Sequence, residues 1–186
     1  MHITTQTKYK DFLSMLDTFN TGDEEMQAIL DSVKDLPLKD EFNLDFNELL
    51  FGQLCQLQSM QTVGDLFIRS FWILLKIEEE NLMKEKAADC LRFVWHVKEG
   101  LERITKLFEA IRHKPTPEEI QAGIGKMDHG FFGTADWYAR RMGITDHEEV
   151  FQTNWMRIYQ AMKIDHDNNQ FQENYRKLME RKAKHK

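Results

Sequence analysis

The stretch KEKAADCLRFVWHVKEGLERITKLFEAIRH, residues 84–113, carries the longest helical pattern in the chain. Its apolar residues recur at spacings of three and four, which places them on one face of an α-helix. The residues of this face are Leu91, Val94, Val97, Leu101, Ile104, Phe108 and Ile111. Gly100 interrupts the helix at a cost of about 1 kcal/mol relative to alanine. The glycine therefore predicts either the close approach of a neighbouring segment or a bend.

The most apolar stretch, LFIRSFWILLKI at residues 66–77, lies just before this helix. It is apolar on nearly every face, and a helix of that kind is expected to be surrounded by others. It is too short to span a bilayer and it contains Arg69. The sequence therefore predicts a buried central helix, which Gly64 and Asp65 begin, and no association with a membrane.

Nearly every other apolar segment also has helical period and not the alternation of a strand. Helices are predicted near residues 7–19, from Asp23 to the Leu36-Pro37 stop, and after a cap at Asn43 or Asp45. The predicted fold class is all-α, a helical bundle with a smaller C-terminal helical lobe.

A domain boundary is predicted at HKPTPEE, residues 113–119. Two prolines two residues apart end one helix, and Thr116 followed by Pro117 has the pattern of a cap and a first helical turn. We therefore divide the chain into an N-terminal helical bundle, residues 1–114, and a C-terminal helical lobe, residues 115–186.

Composition narrows the class of protein. The chain has 186 residues, 41% of them hydrophobic, and includes 13 Phe, which is enough to build a core. Its two cysteines, Cys55 and Cys90, lie inside helical patterns, which is typical of core thiols in a reducing compartment. The first residues lack a basic region followed by an apolar run, so no signal peptide is predicted. We expect a cytoplasmic protein.

The formal net charge is −6, which argues against binding to nucleic acid. The charge is unevenly distributed: residues 1–60 hold 4 Lys/Arg and 11 Asp/Glu, whereas residues 170–186 hold 6 Lys/Arg and 2 Asp/Glu. Ends of opposite sign favour docking within the chain or head-to-tail between copies. The alternative is an acidic surface with a solvated basic tail.

The stretch MDHGFFGTADWYARRMGITDHEEV, residues 127–150, combines Asp-His pairs with aromatic residues. Thr134 is expected to cap a short helix that Gly143 ends. Thr145 and Glu148 match the reciprocal capping pattern at the start of the next helix. These assignments give much of the acidic cluster a structural role at helix N-termini.

The helix predicted to follow, residues 146–164, has an apolar face rich in aromatic residues. Its members are Val150, Phe151, Trp155, Ile158, Tyr159 and Met162. Trp155 and Tyr159 are four residues apart and are expected to pack on the same side. Such a face is usually core, and the alternative is a groove for a partner helix.

Three Asp-His pairs raise the hypothesis of a metal site: residues 128–129, 146–147 and 165–166. No His-Glu-x-x-His or Glu-x-x-His arrangement accompanies them. A single helix from His147 to His166 would separate the two imidazoles by roughly 30 Å. The spacing therefore favours no bound metal, unless a second chain supplies ligands.

Other catalytic patterns are equally weak. Neither cysteine has a recognisable His or Asn setting, and no serine elbow occurs. Lys126 follows Gly123 and Gly125 without the spacing of a phosphate-binding loop. His96 lies in an apolar run and is interpreted as an interior or interface imidazole. Arg140 and Arg141, with the basic tail, are the one group of cations that could contact nucleic acid, and we predict no nucleic-acid binding. We likewise predict no catalytic residues and no cofactor.

FNLDFNELLFGQLCQLQSM, residues 42–60, followed by a central apolar helix, resembles tail assembly chaperones of long-tailed bacteriophages and prophages. The likeness rests on Phe51-Gly52-Gln53 and on FQTNWMRIYQAMKIDHDNNQFQENYRKLM, residues 151–179, in which a Trp and a Tyr precede a basic end. It covers residues 41–180. The family implies no catalysis; it implies self-association and binding to the long helical tape-measure protein.

Three functions are therefore compared. The first is a non-enzymatic assembly chaperone that binds a helical client, with aromatic side chains and some of its ten methionines as contacts. The candidate partner-binding residues are Phe131, Phe132, Trp137, Trp155 and Tyr159. The second is a metal-dependent enzyme that uses His129, His147 and their acidic neighbours. The third is a structural or regulatory helical module of a mobile element, without a client.

Overall fold

The computed structural model describes residues 6–19, 23–60, 63–127 and 129–184. Over these ranges the chain forms helices and two isolated β-bridges but no β-strand, which confirms the all-α class. The α-helices are α1 (Tyr9–Phe19), α2 (Asp23–Val33), α3 (Phe51–Gln58), α4 (Val63–Leu75), α5 (Glu79–Leu82), α6 (Ala87–Ile111), α7 (Pro117–Gln121), α8 (Gly130–Met142), α9 (His147–Phe151) and α10 (Trp155–Lys184). Short 3-10 helices cover Asp40–Phe42, Phe46–Glu48 and Ile124–Lys126.

The packing of the chain divides it into two compact units. Unit 1 comprises Met1–Phe46 and Gln53–Ile104, and unit 2 comprises Asn47–Gly52 and Thr105–Lys186. The boundary inferred from the two prolines, between residues 114 and 115, stays a prediction.

An aromatic cluster forms the core of unit 1. Phe71 of α4 is central to it, with ring centroids 4.4 Å from Phe93, 5.6 Å from Phe42 and 6.0 Å from Tyr9. All four side chains are buried. Tilted and edge-to-face pairs of this kind add roughly 0.5–1.5 kcal/mol each beyond the burial of apolar area. The helical periodicity of α4 and α6 thus brings aromatic residues from distant segments into one core.

The start of α1 is tied to the start of α6 through the backbone. The Tyr9 amide donates to the carbonyl of Glu85 at 2.9 Å, and the Ala87 amide donates to that of Thr7 at 2.8 Å. The buried Tyr9 hydroxyl donates to the carbonyl of Phe67 at 2.8 Å. Burial raises the pKa of Tyr9 well above its usual value. The hydroxyl therefore stays protonated and holds α1 against α4 as a donor.

The close approach predicted at Gly100 is confirmed. A β-carbon built at Gly100 would lie 2.7 Å from three atoms of the Phe46 ring. Phe46 is itself buried, and its ring packs edge-on against His96 at 5.0 Å. The absence of a side chain at Gly100 is what lets this ring lie on the α6 backbone.

The prediction that other helices surround α4 is wrong in one respect. Phe67 and Phe71 are buried, but Arg69 and Trp72 lie on an exposed side, and Trp72 is 53% exposed. The Lys76 ammonium lies 5.6 Å from the centre of the Trp72 indole. A charged and an amphipathic side chain on one stripe suffice to leave that stripe in water.

Both cysteines are buried and free, as the periodicity predicted for core thiols. Burial raises the pKa of Cys55 to about 12 and raises that of Cys90 still further above its usual range. Because the thiolate is the reactive form, neither side chain is a ready nucleophile at neutral pH.

His96 gives unit 1 a dependence on pH. Its Nε2 lies 3.4 Å from the carbonyl oxygen of Leu44, and burial, reinforced by the charge of Arg92, lowers its pKa. In the unfolded chain its pKa is about 6.5, so between that value and the lower folded value only the unfolded chain binds the proton. Its contribution to stability is therefore complete above about pH 6.5 and is lost as the pH falls towards the folded pKa.

We expect His96→Gln to reduce the loss of stability between neutral and mildly acidic pH, because glutamine keeps a donor but does not titrate. The measurement is the free energy of unfolding in urea at several pH values for both proteins. Parallel pH profiles for the wild type and the variant would contradict this assignment.

Hydrogen bonds in unit 2 join residues 47–51 to residues 153–155, which are far apart in sequence. We call this pairing the strap. The Phe51 amide donates to the carbonyl of Thr153 at 2.8 Å, and the Trp155 amide donates to that of Leu49 at 3.1 Å. The Asn154 side-chain amide donates to the carbonyl of Asn47 at 2.8 Å. Residues 47–52 therefore belong with unit 2 although they precede most of unit 1.

The strap explains why the helix predicted over residues 146–164 is two helices. α9 ends at Phe151, and Asn154 caps α10 by accepting the amide of Met156 at 2.8 Å. The cap of α9 also differs from the prediction: the carboxylate of Asp146, and not Thr145, accepts the amide of Glu148. A carboxylate at that position is stabilised by the positive end of the helix dipole.

α8 begins five residues earlier than predicted. It starts at Gly130, so Thr134 lies inside the helix and does not cap it. The predicted ending is confirmed, because Gly143 adopts a left-handed conformation with φ 70°. Thr116 also caps α7 as predicted, with Glu119 completing the reciprocal pair. The difference at α8 extends the helix over both phenylalanines of the stretch.

Candidate partner-binding site

Unit 2 contains an open cleft of about 1170 Å³ whose walls are three helices. The end of α6 and the residues after it form one wall, α8 forms the second and the middle of α10 forms the third. The α8 residues that line it are Gly130, Gly133, Thr134 and Trp137, and the α10 residues are Met162, Asp165, His166, Asn169, Gln170 and Glu173. Both sets have the spacing of a single helix face.

The α8 wall is low because it lacks large side chains at its start. Gly130 has nothing within 4 Å of the place where a β-carbon would lie, and its φ is 52°. At Gly133 a β-carbon would lie 2.9 Å from that of His129. Small residues on a helix face let another backbone approach closely. Gly130 therefore leaves open space beside the start of α8, whereas the place of a side chain at Gly133 is taken by His129.

An ion pair joins α8 to α10 near Trp137. Arg141 of α8 donates from one nitrogen to both oxygens of Asp165 of α10, at 2.5 and 2.7 Å. Its guanidinium also lies 5.7 Å from the centre of the Trp137 ring. The pair is partly exposed, so its main effect is to fix the positions of α8 and α10 and not to add much stability.

Titratable groups lie in and next to the cleft. His113 lies 2.9 Å from the carboxylate of Glu119, which also accepts the amide of Thr116 at 2.8 Å. The amide of Thr116, followed by His113, lowers the pKa of Glu119. His129, His166 and Glu173 line the same cleft. Both carboxylates and imidazoles are therefore found in and next to the cleft.

Phe131 and Phe132 lie on the first turn of α8, and neither is among the residues that line the cleft. Phe132 is 58% exposed and its ring lies 4.9 Å from the imidazole of His147. Phe131 is 37% exposed and packs edge-on against Phe51 at 6.4 Å. Met127, just before the helix, is 68% exposed. These three side chains and Trp137 form what we call the α8 surface.

Trp155 and Tyr159 occupy a different place. Trp155 is fully buried, with its ring centre 5.9 Å from that of Phe108 and 6.1 Å from that of Tyr159. Tyr159 is half-buried and packs edge-on against Phe108 at 5.5 Å. Of the five predicted partner-binding residues, the structure thus brings Phe131, Phe132 and Trp137 to α8 and places Trp155 in the core.

The Phe51-Gly52-Gln53 sequence has a packing role at each position. Phe51 is buried and stacks on Phe151 with ring centres 5.8 Å apart and planes 12° apart. A β-carbon at Gly52 would lie 3.0 Å from the carbonyl oxygen of Phe151. Gln53 donates to the carbonyl of Ile73 at 3.1 Å. The three residues therefore support local packing on both sides of the division between the units.

The Asp-His pairs do not come together as one cluster. His147 lies 3.4 Å from Asp136, which also accepts from Arg140, whereas His129 and His166 line the cleft. Asp128 lies outside the described residues. Within those residues, no group of three or more His, Cys, Asp or Glu is placed to hold a metal ion. Both arginines of the cation group that could contact nucleic acid, Arg140 and Arg141, face carboxylates.

Several residues of the site were not identified from the sequence. Gly133 and Met162 line the cleft, and Met127 is exposed at its mouth. The spacing of residues 130, 133, 134 and 137 could have indicated one helix face, but a start at Thr134 excluded the first two. The site therefore depends on the true start of α8.

Along the described part of the chain, no helix is both long and apolar enough to cross a membrane. No family model, curated protein or solved structure matches this chain.

Proposed function

We propose that this protein is a non-enzymatic assembly chaperone that binds an amphipathic helix of a protein client in the unit 2 cleft. The resemblance to phage tail assembly chaperones makes a tape-measure protein the expected client. The α8 surface and the cleft together form the binding site in this proposal. Trp155 supports the site from the core and does not contact the client.

The observation that carries the proposal is an exposed apolar surface beside a cleft with helical walls. Phe132 and Met127 are more than half exposed, and Trp137 lies in the cleft itself. Clusters of exposed aromatic and methionine side chains mark protein-binding surfaces, because these side chains adapt to varied apolar partners.

The dimensions of the cleft suit a helix. A helix about 10–12 Å across and about 11 Å long, roughly two turns, fills a volume comparable to 1170 Å³. Gly130, which has nothing within 4 Å of an added β-carbon, would let the backbone of the client approach α8. Client residues at helical spacing would then contact Trp137 and Met162.

The test is binding to a phage tape-measure protein, produced together with this chain and then measured by calorimetry. Phe132→Ser and Trp137→Ala, singly and together, are expected to raise the dissociation constant by roughly 10- to 100-fold, as loss of central aromatic contacts does. Circular dichroism melting curves confirm that the variants fold.

A matched control removes an exposed aromatic side chain from another place. Trp72, in unit 1, is 53% exposed, and Trp72→Ala is expected to leave the dissociation constant unchanged. Equal loss of affinity in Trp72→Ala and Trp137→Ala would overturn the assignment of the cleft, and absence of binding by the wild type would overturn the proposed client.

Elemental analysis of the purified protein addresses the metal-dependent alternative. The proposal expects no stoichiometric transition metal and a melting temperature that chelator does not change. A bound metal whose removal follows His129→Ala or His147→Ala would favour the enzyme. A structural module without a client is separated from the chaperone by the same calorimetry.

A further inference from the structure

The second half of α10 is exposed along its length. Each residue of 167–184 is exposed, including Phe171 at 63% and Tyr175 at 52%. We call residues 164–184 the arm. Ion pairs at i,i+4 spacing along the arm, such as Glu173–Lys177 and Arg176–Glu180, add only about 0.3–0.5 kcal/mol each. A helix of this length is marginal in water when nothing packs against it.

The arm nevertheless has a coiled-coil seam. Spacings of four and three residues alternate through Ile164, Asn168, Phe171, Tyr175, Leu178 and Lys182. In heptad terms Ile164, Phe171 and Leu178 occupy position d, and Asn168, Tyr175 and Lys182 occupy position a. The apolar members are 48–63% exposed, so the seam is uncovered in the single chain.

The charge of the arm changes sign along its length. Residues 164–173 contain Asp165, Asp167 and Glu173 and no Lys or Arg. Residues 174–184 contain five Lys/Arg and one carboxylate, Glu180. An arm acidic at one end and basic at the other complements a second copy of itself that runs in the opposite direction.

We propose that the arm pairs with the arm of a second copy of this chain as an antiparallel two-stranded coiled coil. This inference does not depend on the proposed client, since the residues that line the cleft do not include those of the seam. A two-fold axis near Glu173 relates the copies, so the interface is self-complementary.

One register satisfies both the seam and the charges. Phe171 then packs on Tyr175 of the partner subunit, and Asn168 lies opposite Leu178 of the partner subunit. Asp167 and Arg181 both occupy position g, and in an antiparallel pair the g positions of the two helices face each other. Asp167 therefore faces Arg181 of the partner subunit, and the two-fold symmetry forms this ion pair at two places in the dimer. Ile164 contacts the aliphatic part of Lys182 of the partner subunit.

A parallel pair would be poorer. It would place the three carboxylates of one arm beside those of the other, and the five cations beside five cations, which is destabilising for neighbouring helices. The acidic half would gain no opposite charge. The pattern therefore specifies both the partner and the direction of pairing.

Sedimentation of the full chain over a roughly hundredfold range of concentration tests the pairing. We expect a monomer–dimer equilibrium in the wild type. Phe171→Ser with Leu178→Ser removes two seam residues from each copy and is expected to raise the dimer dissociation constant by roughly a hundredfold or more. Asn169→Ser with Ala183→Ser, away from the seam on the same helix, is expected to leave it unchanged.

Crosslinking with a short bismaleimide tests the direction. In the antiparallel pair two copies of Asn174 lie opposite each other, so Asn174→Cys is expected to crosslink. Two copies of Asn168 lie about 15 Å apart along the axis, so Asn168→Cys is not. The native cysteines, Cys55 and Cys90, are buried thiols of raised pKa and stay silent.

A monomer at all concentrations overturns the proposal, and so does a dimer that survives Phe171→Ser with Leu178→Ser. Crosslinking at residue 168 and not at 174 overturns the antiparallel direction. A third result would also overturn the proposal: a wild-type chain that is a monomer and a seam variant that loses client binding. In that case the client, and not a second copy, covers the arm.

Discussion

Replacing Trp155 with alanine is expected to lower the free energy of unfolding by about 3–5 kcal/mol, the range for large aromatic residues in a core. Its side chain is fully buried and packs against Phe108 and Tyr159. Removing it leaves a cavity that the strap through Asn154 prevents from closing, because the backbone there is fixed by hydrogen bonds to residues 47 and 49. Urea unfolding followed by circular dichroism measures the change.

Trp72→Ala is the matched control, since the same side chain is removed from an exposed position. It is expected to change stability by about 0.5 kcal/mol or less. If the two variants lost equal stability, the burial of Trp155 in unit 2 would be refuted. If instead Trp155→Ala kept its stability and lost client binding, Trp155 would be a contact residue, as its place on an aromatic helix face first indicated.

The second large effect is expected at Gly100. Alanine is better than glycine in a helix interior by about 1 kcal/mol, yet here its β-carbon would lie 2.7 Å from the Phe46 ring. The ring is buried, and it contacts His96, so it has little room to move. Overpacking should outweigh the helical preference, with a net loss of about 1–3 kcal/mol measured in urea.

Two further variants check that this clash is the cause. Gly125→Ala, where nothing lies within 4 Å of the added carbon, is expected to be neutral or slightly stabilising. Phe46→Leu should cost less in the Gly100→Ala background than in the wild type, because the smaller side chain relieves the contact. Additive losses in that double variant would contradict close packing at this position.

Much of the fold was predictable because its causes are local. The three-and-four spacing over residues 84–113 specified α6, and the structure begins it at Ala87 and ends it at Ile111. Thr116 with Pro117 specified the start of α7, and Gly143 the end of α8. In each case the residues that satisfy the terminal backbone groups are within a few positions of them.

The misplaced helix boundaries have distant causes. Asn154 interrupts a continuous apolar pattern because its side chain donates to Asn47, 107 residues away in sequence. The resulting bridge between Leu50 and Asn154 separates α9 from α10. No periodicity within residues 146–164 records that interaction.

The candidate site was predictable only in part. The sequence selected five aromatic residues on amphipathic helices, and periodicity cannot tell which apolar face a neighbour covers. Phe108 covers Trp155, whereas over half of the Phe132 side chain stays exposed. The cleft is lined by residues of α6, α8 and α10, so its glycines could be recognised as part of a wall only once those helices had been placed together.

The sequence by itself determined the all-α class, the long helix α6 and the helix ends set by Thr116 and Gly143, because helical period and capping act over four residues or fewer. It also determined the seam and the charge gradient of the arm. Tertiary structure alone decided where α10 begins, which tryptophan is core and where the cleft opens. Those features depend on contacts between segments that the chain brings together only on folding.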